Sequence, residues 1–225
     1  MSIKENLDKI KENIAKACSE CGRNPDDVLV LAVTKTRSAA EINEAISCGI
    51  TDIGENRVQE LLGKYDDVVP GVRWHIIGHL QSNKVKYIAD KVSMIHSVDS
   101  LKLAEEIDRR CAPLGKVMDI LIEVNSGEEN KNGVAFEDAD ELIRRVKELK
   151  NVSIKGLMTM APLAASEEEL KKVFSNLYQL SVDIEAKKYD NVSMKCLSMG
   201  MSGDYVEAVK QGATIIRPGR TLFSI

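Results

Sequence analysis

Hydrophobic positions along the chain alternate between two rhythms. Short apolar, β-branched runs lie at 28–33 (VLVLAV), 50–54 (ITDIG), 73–78 (RWHIIG), 92–98 (VSMIHSV), 117–124 (VMDILIEV), 152–158 (VSIKGLM), 192–199 (VSMKCLSM) and 213–217 (ATIIR). Such runs read as strands. Between them the segments 39–48, 55–65, 82–90, 101–112, 136–149, 167–187 and 204–211 carry the three-or-four spacing of helices. A further helix precedes the first strand, where Ile3, Leu7, Ile10, Ile14 and Ala17 form a stripe with Lys and Glu between. Ser38, Ser100 and Ser166 each stand where an N-cap is expected.

Eight strands alternating with helices predict a (β/α)8 TIM barrel with an extra N-terminal helix, in a chain somewhat shorter than the roughly 250 residues typical of that fold. A doubly wound open sheet is the rival, and the count of eight favours the barrel. No long linker, low-complexity tract or internal repeat divides the chain, so one domain is expected over 1–225.

Composition narrows the classes further. With 44% hydrophobic and 29% charged residues, disorder, collagen and a disulfide miniprotein are excluded. The 31 Lys+Arg against 35 Asp+Glu leave a net charge of −4, with no global basic field to collect nucleic-acid phosphates. Five scattered cysteines suit reduced thiols and a cytoplasmic protein. Cys18 and Cys21 form a C-x-x-C with no second pair, at the end of an amphipathic helix, which argues against zinc. A charged N-terminus without an apolar signal core, and the absence of an apolar run of about 18 residues, argue against secretion and membrane spanning.

Barrel active sites lie at the C-terminal ends of the strands, and these ends are unusually polar here. Lys35 closes the first run, where desolvation is expected to push an amine towards its neutral, nucleophilic form and allow a Schiff base with a carbonyl ligand. A lysine snorkelling from a strand end is the plainer reading. After the seventh run, SMGMSGD supplies Gly200, Ser202 and Gly203; after the eighth, RPGRT supplies Arg217, Gly219, Arg220 and Thr221. Glycine-rich backbone, hydroxyls and arginine at these two positions fit a phosphate cup. A pair of ordinary glycine turns is the alternative. His75 and His79 have metal-like spacing but lie on strand and turn, so no metal is expected, and His96 reads as a satisfied core histidine. Met158, Met160, Met199 and Met201 are candidates for a ligand plane or for packing.

A lysine ending strand one together with a phosphate cup after strands seven and eight resembles the alanine racemase type of pyridoxal phosphate barrel. Five motifs, AVTKT around Lys35, IGENRVQE at 53–60, WHIIGHLQSNK at 74–84, LSMGMSGD at 197–204 and IRPGRTLF at 216–223, closely resemble the pyridoxal phosphate homeostasis protein family, in order and over essentially the whole chain. The resemblance implies an alanine racemase N-terminal-domain-like barrel that carries pyridoxal 5'-phosphate (PLP) as a Schiff base on Lys35. Ser202, Gly219, Arg220 and Thr221 would hold its phosphate, and Arg217 would face the pyridine nitrogen. Asn56, His79, Met160 and Ser198 would contact the ring or its surroundings, and Lys131 would be a secondary PLP contact.

The same resemblance implies a role in storing, delivering or buffering PLP, with PLP-dependent apoenzymes as recipients, and little or no catalysis. Alanine racemases draw a catalytic tyrosine from a C-terminal β domain, whereas this sequence stops at Ile225 just after strand eight. That also favours a monomer. The readings held against it are an amino-acid racemase or related PLP enzyme, a class I aldolase using Lys35 and the phosphate cup, and a scaffold binding partners on its helical exterior.

Overall fold

The computed structural model describes residues 2–127 and 132–224. Among the described residues nine parallel strands form one sheet: β1 (Leu29–Val30), β2 (Ala32–Val33), β3 (Asp52–Glu55), β4 (Arg73–Ile76), β5 (Met94–Val98), β6 (Met118–Glu123), β7 (Val152–Met158), β8 (Val192–Met201) and β9 (Ile215–Arg217). Their order, β1-β9-β8-β7-β6-β5-β4-β3-β2, begins and ends on the two halves of the first predicted strand. β1 pairs with β9 in the register Leu29↔Ile215, and β2 pairs with β3 in the register Ala32↔Ile53. Between the halves, the Leu31 amide donates to the Ile216 carbonyl. One continuous segment therefore joins both edges and closes the sheet into the barrel expected from the alternation.

The helices are α1 (Ile3–Cys21), α2 (Ala39–Ser47), α3 (Val58–Leu62), α4 (Leu101–Cys111), α5 (Ala139–Val146), α6 (Glu167–Glu185), α7 (Tyr205–Lys210) and α8 (Arg220–Phe223). In α1 the predicted stripe is buried from Ile3 to Cys18, and Asn6 Nδ2 donates to the Leu222 and Ser224 carbonyls at 3.0 and 2.8 Å. The extra helix thus clasps the C-terminal α8, which sequence periodicity did not reveal. Ser38 and Ser166 make full capping boxes with Glu41 and Glu169, whereas Ser100 occupies the N-cap of α4 without a side-chain cap bond.

Two predicted helices are shorter or tighter than their spacing suggested. The segment 55–65 yields only α3, because Glu55 remains in β3 and Gly63 ends the helix. The segment 82–90 yields a 3-10 helix at Ser82–Tyr87, with Val85 buried within it and Ile88 and Ala89 buried directly after it. Most of the core lies between strands and helices. A smaller cluster of Leu31, Val33, Ile77 and Ile215 packs separately and faces inward by strand alternation.

Candidate functional site

The strand ends bring the predicted residues together. A cavity of about 630 Å³ is lined by Lys35 after β2, Asn56 after β3, His79 after β4 and Met160 after β7. Ser202, Arg217, Gly219 and Arg220 line it from the β8 and β9 side. Its size suits a small cofactor. Met201 also lines it, whereas Met158 and Met199 are fully buried packing. Close backbone approach shapes one wall: a Cβ on Gly78 would stand 2.6 Å from the Asn56 carbonyl oxygen, so only glycine fits there.

Lys35 is exposed rather than desolvated as its apolar run suggested. The strand ends at Val33, and Lys35 sits in the following turn, closed by the Arg37 amide donating to the Thr34 carbonyl at 3.0 Å. Thr36 adopts φ 64°, a costly conformation for a β-branched residue. The turn is held from below. Buried Glu55 accepts from Thr34 Oγ1 at 2.7 Å and from Lys64 Nζ at 2.8 Å, Lys64 also donates to the Thr34 carbonyl at 2.9 Å, and Glu60 accepts from the Thr36 amide at 3.1 Å. Of these three supporting residues only Glu55, at a polar strand end, stood out in the sequence; Glu60 falls inside IGENRVQE and Lys64 lies beyond it.

On the β8–β9 side, Ser202 Oγ accepts from the amides of Gly219 at 3.2 Å and Thr221 at 3.1 Å, and Thr221 Oγ1 donates to the Ser202 carbonyl. The Gly219 and Thr221 amides are thus gathered on Ser202 Oγ, and Arg220 lines the cavity beside them. Thr221 itself ties the two loops together and is not among the lining residues. Asp204 lines the cavity and accepts from the Met201 amide, closing the loop that presents Ser202 and Gly203; burial raises its carboxyl above the ordinary value.

Arg217 is 3% exposed. It donates to Ser198 Oγ at 2.7 Å and to the Thr159 carbonyl at 2.8 Å. Burial lowers its pKa to about 10, so it stays protonated at neutral pH. Ser198 is fully buried behind Arg217 instead of lining the cavity. Nearby, Glu123 is buried with Oε2 lacking a hydrogen-bond partner among the described residues; burial pushes its carboxyl up to about 7, with Asp99 adding to the shift and Arg217 opposing it. His79 lies 3.8 Å from Asp99. Lys131 lies outside the described residues.

A wider groove of about 910 Å³ runs past Tyr178, Met194 and Lys210 at the other end of β8. Its Arg23 is already spent on the carbonyls of Val209 and Ala213.

Residues 6–225 match the family model described as alanine racemase, N-terminal domain. The chain is 43% identical over 225 residues to the pyridoxal phosphate homeostasis protein of Aquifex aeolicus, covering 99% of this chain and 98% of that one. This chain belongs to the pyridoxal phosphate homeostasis protein family. The family's Escherichia coli K12 member is 36% identical over 227 residues, covering 98% of this chain and 95% of its own. Among solved structures, that of PipY from Synechococcus elongatus with PLP bound superposes with a TM-score of 0.87 at 33% identity, over 99% of this chain and 100% of that one. Family membership and the alanine racemase N-terminal-like barrel thus agree with the expectation from the five motifs.

Proposed function

We propose that this protein is one PLP-binding barrel over 1–225 that stores, delivers or buffers the cofactor in the cytoplasm, as a monomer passing it to PLP-dependent apoenzymes. The carrying observation is that Lys35, Arg217 and the Ser202–Gly219–Arg220 cup share a single cavity. An aldehyde that also bears a phosphate matches that donor set: an amine for the carbonyl, and backbone N–H groups with a hydroxyl and a guanidinium for the anion. The PLP-bound PipY relative supports the same ligand. Among the described residues, no helix is long and apolar enough to cross a membrane.

Each residue has a distinct task. Lys35 would hold the cofactor through its aldehyde, with Nζ as the amine. Ser202, Gly219 and Arg220, braced by Thr221, would hold the phosphate, and Asn56, His79 and Met160 would border the ring. Ser198 acts through Arg217, and Lys131 is assigned as a secondary contact. PLP would supply an electron-withdrawing ring, and Arg217, protonated at neutral pH, would offer its nitrogen a hydrogen bond without readily yielding a proton, which would make that ring a weak electron sink. No tyrosine is among the described residues lining the cavity, so an acid/base tyrosine of the alanine racemase kind is not supplied from them. These features support carriage over catalysis.

Intact mass after incubation with PLP and borohydride reduction tests the reading. One pyridoxyl adduct is expected on the wild type and none on Lys35→Ala. An undiminished adduct in the variant would overturn the Lys35 assignment, and alanine racemisation at about 1 per second or faster would overturn the carrier role.

A further inference from the structure

Behind the cavity a chain of hydrogen bonds crosses the barrel. Arg217 donates to Ser198 Oγ at 2.7 Å; Ser198 Oγ lies 2.8 Å from His96 Nδ1; His96 Nε2 lies 2.9 Å from His75 Nδ1; and His75 Nε2 lies 2.9 Å from Asp52 Oδ1. Ser198 and His96 are fully buried, and Asp52 and His75 are 1% and 3% exposed. At the far end Arg73 donates to both Asp52 oxygens, Nε at 2.7 Å and a terminal nitrogen at 2.6 Å, with its own side chain 57% exposed.

The two ends fix the direction of every link. A guanidinium has no acceptor, so Ser198 must accept from Arg217 and give its own proton to His96 Nδ1. His96 then carries its proton on Nε2 and donates to His75 Nδ1, and His75 donates from Nε2 to Asp52. The reverse sense leaves the Ser198 proton without an acceptor and points a bare His75 nitrogen at a carboxylate. Only one arrangement of protons satisfies all the groups, with both imidazoles neutral. Burial, His75 and Arg217 hold the His96 pKa well below its ordinary value, in agreement with that arrangement.

We infer that His96, His75 and Asp52 are positioning residues: anchored to Asp52, they present the Ser198 lone pair to Arg217 and so fix the guanidinium where it meets a ligand ring. This rests on the proposed PLP site. Without the chain, Ser198 is free to rotate its hydroxyl and compete with Arg217 for other acceptors, so Arg217 keeps only the Thr159 carbonyl as an anchor. Links that polarise one another in a buried setting make loss at one point felt at the other end.

The test compares wild type with His96→Leu, which cuts the chain, and His96→Gln, whose amide can accept from Ser198 and donate to His75. Asp52→Asn, which removes the anchoring charge, serves where His96→Leu does not fold. PLP affinity and the pH midpoint of the visible absorption of the loaded protein are measured by titration. Histidine ¹⁵N spectra of the unloaded wild type report which ring nitrogens carry protons. Expected are Nε2–H tautomers for both His75 and His96, about tenfold weaker PLP binding in His96→Leu with a midpoint shifted by at least about 0.5 pH unit, and His96→Gln within about twofold of wild type. Asp52→Asn shifts both readouts in the same direction by less. A folded His96→Leu, or Asp52→Asn in its place, with wild-type affinity and midpoint overturns the inference, as does an Nδ1–H tautomer at His96. A wild type that gives no reducible adduct would instead bring down the site itself, so the two failures are distinguishable.

Discussion

At the scale of single residues, the site depends on side chains that never touch a ligand. Lys35 owes its place to a turn containing a left-handed Thr36, and that turn is tied down by the Glu55–Lys64 pair. Glu55 is fully buried and Lys64 nearly so, with side-chain exposures of 0% and 15%. Removing one partner of such a pair strands a charge, which is more damaging than removing both. Lys64→Met is therefore expected to destabilise the protein by about 3 kcal/mol, and Glu55→Gln combined with Lys64→Met to recover at least about half of that. Urea denaturation of the two variants checks the ordering. Equal stability of single and double variants would mean that the Glu55 charge carries no penalty when Lys64 is absent.

At the scale of elements, what could be read in the sequence was what local rules govern. The strand runs, the buried stripe of α1 and the boxes at Ser38 and Ser166 each depend on residues within a few positions of one another. The strand-end rule then placed Lys35, Asn56, His79, Met160, Ser202, Arg217, Gly219 and Arg220 around one cavity. The hydrogen bond from Ser198 to His96 joins positions 102 apart, and Lys64 supports a carbonyl 30 positions away; no periodicity carries such information. The burial expected of Lys35 failed for a related reason, since an apolar run does not show where the strand stops and the turn starts. Caps give a direct comparison between a sequence signal and a realised bond. Ser166 accepts from the Glu169 amide at the head of the 19-residue α6, whereas Ser100 makes no such bond at α4. Ser166→Ala is expected to cost about 1 kcal/mol and Ser100→Ala under about 0.5 kcal/mol in urea denaturation. The reverse order would show that α4 is capped in solution by the hydroxyl.

At the scale of the whole molecule, the barrel interior holds buried titratable groups whose effects on stability run in opposite directions. His96 has a lowered pKa, so below about pH 6.5 the unfolded chain takes up a proton that the folded one refuses, and stability falls as the pH drops. Asp52 is held well below the usual carboxylate range by its bonds to His75, Arg73 and Thr51, which outweigh its burial, so its contribution is lost as the pH falls below about 4. Glu123 is the opposite case. Raised from 4.5 to about 7 by burial, it binds a proton in the folded state that the unfolded chain has released, so its contribution declines as the pH rises through that interval. Between about pH 5 and 6.5 the His96 and Glu123 contributions therefore oppose one another, each at most about 1.4 kcal/mol per pH unit. Glu123→Gln removes one side of the balance. It is expected to stabilise the protein at pH 8 by on the order of 2 kcal/mol, by sparing a buried unpaired charge, and to lose stability steadily on acidification below pH 6.5. Urea melts at half-unit steps from pH 5 to 8 distinguish the profiles. Parallel curves for wild type and variant would mean that Glu123 titrates alike in the folded and unfolded chain.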